Sequence, residues 1–246
     1  MKFMKNKNTY ITFILLLVTQ LCWGQVNRAE EVSVIYFEYM PFVVGKDSQP
    51  TGLSVDVLNA VAAKAGIHLK YAHATIPRAE EMLVSESVIS PHLTRNAERE
   101  DKYVWVGLIM EDANCFLTLK EKKHISSLEE AKAFKTIGVN ANGATEKFLR
   151  KNNFKNLEPM LENTLNARKL LIGRIDAWFT SKKVYEATFR EEKMDTSKVV
   201  CDGKFNSPSY YIVASKKIPR ETLAKLQKAH DELKKSGEID KIISKY

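Results

Sequence analysis

The chain has no Gly-x-Gly-x-x-Gly, no Walker-type phosphate loop and no Gly-x-Ser-x-Gly elbow. That excludes the usual dinucleotide, nucleotide and nucleophile-elbow sites. Its five histidines are scattered, and none stands at a metal-ligand spacing from cysteines or acids, so neither a metal nor a cofactor is expected. No basic block is interleaved with aromatics, which argues against nucleic acid. There is no internal repeat and no low-complexity segment. Long apolar runs are also missing, apart from one near the start, Tyr10 to Leu21.

That run follows Lys2, Lys5 and Lys7 with no acid between them. About a dozen apolar residues suit a signal peptide and are short for a bilayer span. Cys22 and Gly24 supply small residues at positions −3 and −1 if cleavage falls before Gln25. A membrane anchor is the alternative; lipidation of Cys22 is disfavoured by Leu21 before it. The expectation is a signal peptide over 1–24 and an exported, soluble mature chain of 222 residues (246 − 24), enough for one large or two small domains. Losing the three lysines takes the formal charge from +8 to +5 (8 − 3), and a mildly basic surface favours anionic ligands. Cys115 and Cys201 are left, either as a disulfide permitted by export or as two buried thiols; sequence separation alone leaves both open.

The mature chain alternates strands and helices. Val32 to Phe37 reads as a buried strand, running into Tyr39-Met-Pro-Phe42. A helix follows with Ser54 as its N-cap and Gly66 as its stop. Further expected elements are a strand at His68 to Tyr71, a helix over Arg78 to Val84, a strand at Ser87 to Ser90 and a strand at Tyr103 to Ile109. A second unit opens at Cys115. It holds a capping box at Ser126 and Glu129, strands at Thr136 to Val139, Asn156 to Met160, Ile175 to Phe179 and Lys198 to Cys201, and helices at Thr145 to Lys151, Thr164 to Ile172 and Ser181 to Arg190. Tyr210 to Ala214 returns as a strand, and the tail from Pro219 is helical with a break at Gly237. Alternation of this kind defines an α/β fold.

The stretch Ser90 to Gly107 packs Thr94, Arg95 and Arg99 before an aromatic strand. A guanidinium offers a planar fork that meets both oxygens of a carboxylate; the alternative for Arg99 is a surface pair with Glu98 or Asp101. Tyr39-Met-Pro-Phe42, Gly52-Leu-Ser-Val-Asp56, Thr94 with Arg99, Gly138-Val with Gly143-Ala-Thr145, Gly173-Arg-Ile-Asp176 and the returning Tyr-Tyr-Ile-Val strand occur in that order. In this the chain resembles the bacterial periplasmic solute-binding proteins of the polar amino-acid ABC-transporter type, extracellular solute-binding family 3, over essentially the whole mature chain.

The resemblance implies a two-lobe type II periplasmic binding fold, each lobe a β-sheet flanked by helices, joined by two crossing strands. Lobe one would be 25–109 plus 208–246, and lobe two 110–207. It implies a periplasmic monomer, not an enzyme, that holds a small polar carboxylate-bearing ligand between the lobes, closes by a hinge and delivers the ligand to a membrane permease. By the same resemblance Arg99 and Thr94 bind the carboxylate, with Arg95 adjacent. Tyr39 packs on the ligand, and Tyr36 and Phe42 extend that wall. Gly143, Ala144 and Thr145 present backbone N–H groups at a helix start, a setting that suits anions. One departure stands out: Ser181 occupies the position where amino-acid binders of this family carry an acid for the α-ammonium, Trp178 is bulky where the family is small, and Asp176 matches a structural Asp. Glu38 is a candidate substitute. Two alternatives follow: a periplasmic enzyme on the same fold, resembling the dehydratases of prephenate-like acids, with Glu38 or His92 as its acid, and a transporter-independent ligand-sensing protein.

Overall fold

The computed structural model describes residues 30–246 apart from Lys46 and Lys123. The expected signal peptide over 1–24, with Cys22, lies outside the described residues. Among the described residues, ten strands form two mixed five-stranded sheets. The first contains β1 (Glu30–Tyr36), β2 (Ile67–His73), β3 (Val88–Arg95), β4 (Val104–Glu111) and β10 (Ser209–Ala214), in the order β2-β1-β3-β10-β4. The second contains β5 (Asn114–Leu119), β6 (Ile137–Asn140), β7 (Leu157–Met160), β8 (Ala177–Ser181) and β9 (Val199–Asn206), in the order β7-β6-β8-β5-β9. β1 and β3 run parallel, as do β6, β7 and β8, while β10 and β5 lie antiparallel to both their neighbours.

The chain therefore passes between sheets twice, from β4 to β5 and from β9 to β10. The two passages are tied side by side. Asp112 N–H donates to the Pro208 carbonyl at 3.0 Å, and Asn114 Nδ2 donates to Asn206 Oδ1 at 2.7 Å. Cys115 and Cys201 form a disulfide between β5 and β9, the first of the two readings above.

Helices α1 (Leu53–Ala65), α2 (Ile76–Ser85), α7 (Arg220–Lys235) and α8 (Glu238–Ile243) accompany the first sheet, and α3 (Leu128–Ala131), α4 (Ala144–Lys151), α5 (Asn163–Leu171) and α6 (Lys182–Glu191) the second. The cores follow the period of two along each strand. In β1, Val34 and Tyr36 pack with α1, while Ile35 packs with α2 residues Ala79 and Leu83. In β5, Leu117 faces one way and Phe116 the other. Among the described residues no helix is long and apolar enough to cross a membrane.

Three local expectations need correction. Ser54 does not cap α1. The cap is Gly52, at φ 116, and the first amides, of Leu53 and Ser54, donate to the Pro41 and Phe42 carbonyls at 3.0 and 2.9 Å. A Cβ on Gly52 would lie 2.7 Å from the Phe42 oxygen, so only glycine lets the Tyr39–Val43 turn seat on the helix. The capping box sits one residue later than expected: Ser127 Oγ accepts from Glu130 N–H, and Glu130 reaches back to Ser126 N–H at 2.8 Å. Finally, β3 runs on to Arg95 instead of stopping at Ser90. Its pairing with β10 skips a residue between Ser90 and Leu93, where Pro91 has no N–H to give. The extra residue is a bulge. It returns Leu93 to the face of Val88 and leaves His92 among the aromatics described next.

Candidate functional site

A cavity open to solvent lies where the two sheets meet. Arg99, Thr94, Tyr39, Gly143, Ala144 and Thr145 all line it. The first three come from the first-sheet half: Thr94 at the end of β3, Arg99 in the turn after it and Tyr39 in the turn after β1. The last three are the N-terminus of α4, beyond β6.

The floor is aromatic. Tyr39 stacks on Phe42 and His92, with centroids 5.9 and 5.3 Å apart, and Tyr210 from β10 lies 4.5 Å from Phe42 and 4.9 Å from His92. Phe42 itself is wholly buried, so it backs the cavity without lining it. His92 is buried, its Nδ1 3.3 Å from Ser54 Oγ. Burial first, and the Arg99 charge second, lower its pKa to about 3, so the ring is neutral at physiological pH. Burial and the nearby Asp112 charge raise the Tyr39 phenol. Burial, then Tyr39 and Asp112, raise that of Tyr210.

Arg99 is held on three sides. Its backbone N–H donates to Asn96, Nη1 donates to the Thr94 carbonyl at 2.9 Å, and Nη2 pairs with Glu80 of α2. Its Nε–H is buried with no partner. The Glu80 pairing differs from the expected alternatives, Glu98 and Asp101. The other Glu80 oxygen lies 3.5 Å from Lys147 Nζ on α4. One carboxylate thus joins two cations across the space between the sheets, and the trio carries a net +1 (2 − 1).

On the opposite wall α4 begins at Gly143 with no side-chain cap. The loop before it is shaped by Asn142 at φ 60, a left-handed conformation that Asn tolerates. Glu146 accepts the Asn142 N–H at 2.7 Å and is itself held by Arg150. Two further lining side chains have unpartnered buried oxygens, Asn114 Oδ1 and Asn140 Oδ1.

Four residues expected at the ligand stand elsewhere. Tyr36 is wholly buried, its hydroxyl on the Asp47 carbonyl and its ring against Tyr71 and His73; strand alternation turns its neighbour Phe37 to the cavity instead. Arg95 pairs with Glu100 at 2.8 Å and lies over the rings of Trp105 and Tyr211, and is not among the lining residues. Trp178 is wholly buried in the core that contains Ala167 and Leu170 of α5, because in β8 it alternates with Ala177 and Phe179, which face the other side. Ser181 is buried as the N-cap of α6, accepting from Val184 N–H at 3.4 Å, and does not line the cavity. Glu38 accepts the Gly45 N–H at 3.3 Å and does not line the cavity. Asp176 accepts the N–H groups of Lys135 and Thr136.

Phe37, Asn114, Asn140, Pro208 and Tyr210 line the cavity without having been singled out. Asn114 and Pro208 had a signal available, since both fall where the chain crosses between halves. Asn140 had one too, as the last residue of a strand before the Gly143 turn.

Two mixed sheets flanked by helices, crossed twice by the chain and enclosing a cavity at the crossing, make this a type II periplasmic binding protein fold. The chain belongs to the bacterial extracellular solute-binding proteins, family 3, whose model matches residues 33–246. It is 25% identical to the probable amino-acid-binding protein YxeM of Bacillus subtilis (strain 168), over 99% of this chain and 95% of that protein. Among solved structures it is similar to an ancestral arginine-binding protein bound to arginine, at 25% identity and a TM-score of 0.73, covering 88% of this chain and 97% of that one. It is also similar to a histidine kinase sensor domain with similarity to periplasmic binding proteins, at 15% identity and a TM-score of 0.78, covering 89% and 97%.

Proposed function

We propose that this protein is exported by its leader, captures a small polar, carboxylate-bearing solute in the cavity and delivers it to the permease of an ABC transporter. It acts as a monomer whose bodies, 25–109 plus 208–246 and 110–207, close around the ligand at the two crossings. The observation that carries this reading is Arg99: it lines the cavity with a buried, unpartnered Nε–H, in a cluster of net charge +1 (2 − 1), facing an uncapped helix N-terminus. A carboxylate would give that N–H its partner and lie near the positive end of the α4 dipole. The relatives named for amino acids support the same class of solute.

The enzymatic alternative loses both of the acids considered for it. Glu38 is off the cavity, and His92 is neutral among aromatic rings, whereas protonation of a leaving group needs a proton donor within reach. Titration calorimetry against amino acids and organic acids tests the proposal. A ligand should bind to the wild type, and Arg99→Ala should weaken it by about 2–5 kcal/mol, as for a desolvated charge pair. Equal binding by Arg99→Ala would sink the assignment of the anchor.

A further inference from the structure

Resting on that reading, we infer that the end of the ligand next to its carboxylate is recognised by two neutral carboxamide oxygens, Asn114 Oδ1 and Asn140 Oδ1, in place of an acid. Both side chains are nearly buried, 3% and 6% exposed. Both line the cavity, and both oxygens lack any hydrogen-bond partner. Buried polar atoms are rarely left so, and an unmet acceptor in a cavity marks where a donor belongs.

The orientation of the Asn140 amide is set by its other end. Asn140 Nδ2 donates to the Leu161 carbonyl at 3.3 Å. A carbonyl only accepts, so the NH₂ must face it and the oxygen must face away. Space for that oxygen exists because residue 143 is glycine; a Cβ there would lie 2.8 Å from Asn140 Oδ1. Asn114 Nδ2 is engaged by Asn206 Oδ1 at 2.7 Å across the paired crossings. The acids nearby are already engaged: Asp112 accepts the N–H groups of Ala113 and Lys183 at 2.8 and 3.0 Å, and Glu80 is paired with Arg99 and Lys147. Ser181, at the position of the missing acid, caps α6.

Two neutral acceptors recognise N–H and O–H alike. They lack the charge that would prefer an ammonium strongly to a hydroxyl. They favour a ligand that brings a donor, because without one both oxygens stay buried and unmet. The chemical class assigned is therefore a 2-substituted carboxylic acid whose substituent is an amino or a hydroxyl group.

The experiment uses the mature protein and triads of probes: the L-2-amino acids, their L-2-hydroxy analogues and the 2-unsubstituted acids, by titration calorimetry. In the best-bound triad the amino and hydroxy members should bind within about tenfold of each other, and the unsubstituted acid about 10–100-fold more weakly, as expected for unmet buried acceptors. Asn140→Leu and Asn114→Leu should erase that gap, while Arg99→Ala weakens all three members alike. Asn114→Asp is the conservative control, because Asn206 can turn its amide to donate; it should favour the amino over the hydroxy member by more than about tenfold. An unsubstituted acid that binds as well as its partners overturns the inference, as does a gap unchanged in the Leu variants. In either case Arg99-dependent binding leaves the proposed function standing. Binding by no member of any triad overturns both.

Discussion

Glu80 is the residue whose removal separates two forces acting on Arg99. The Arg99 side chain is 5% exposed and that of Glu80 21%, so Glu80→Gln leaves a nearly buried guanidinium without its counter-charge. Breaking a buried pair from one side costs about 3–5 kcal/mol. Because Glu80 is partly exposed and the cavity admits solvent, the lower end applies, ~3 kcal/mol. Lys147, 39% exposed, adds little. For a domain of this size each kcal/mol moves the midpoint by about 2–4 °C, so the unliganded variant should melt roughly 6–12 °C below wild type. Ligand binding should move the other way. Glu80 repels a carboxylate placed on Arg99; at ~6 Å and an effective dielectric of 20 this is ~3 kcal/mol before solvent screening. Removing it raises the local charge from +1 to +2 and should tighten a carboxylate ligand by about tenfold. Thermal shift with and without ligand, together with calorimetry, reads both effects in one variant. Two outcomes would refute the reasoning: a midpoint within 2 °C of wild type means that Glu80 does not compensate Arg99, and a loss of affinity means that Glu80 itself touches the ligand. A double variant, Glu80→Leu with Arg99→Leu, should recover most of the stability lost in Glu80→Gln, since replacing both charges leaves no lone ion buried.

Three other outcomes are expected. His92 has its pKa lowered from 6.5 to about 3 on folding, so between those values the unfolded chain binds the extra proton; its contribution is fully present above pH 6.5 and is lost as pH falls. Chemical denaturation at pH 7.5 and pH 5.0 should differ by ~2 kcal/mol on this account, and His92→Asn should remove that part of the slope. The Cys115–Cys201 bridge spans 86 residues, and reduction should lower stability by about 4 kcal/mol, read as a drop in denaturation midpoint with dithiothreitol that Cys115→Ala with Cys201→Ala reproduces without reductant. Gly52→Ala places a methyl group against backbone at a φ of 116. It should cost at least about 2 kcal/mol and weaken ligand binding by shifting Tyr39; wild-type melting and affinity would show that the turn does not depend on glycine.

How far the site was legible follows the range of each physical cause. Strand and helix order came from local periodicity, and a β-α alternation broken by two crossings is a pattern of neighbours in sequence. Arg99, Thr94, Tyr39 and the Gly143 turn lie at loop or strand ends, so being named there sufficed. The failures sit within regular elements or depend on distant partners. Tyr36 and Trp178 lie in strands, where a shift of one residue exchanges core for cavity; only the register with α1 and α5 decides which. The Pro91–His92 bulge shows how small that margin is, because one unpaired residue in β3 reverses the faces of all that follow. The pairing of Arg99 was beyond reach for another reason. Glu98 and Asp101 are its neighbours in the chain, but Glu80, nineteen residues earlier, wins because α2 delivers its carboxylate to a nearly buried guanidinium, where a low dielectric strengthens the attraction. A charged side chain in a cleft is therefore read with least error by asking which helix stands over it, and here that helix brings the anion that a ligand must contend with.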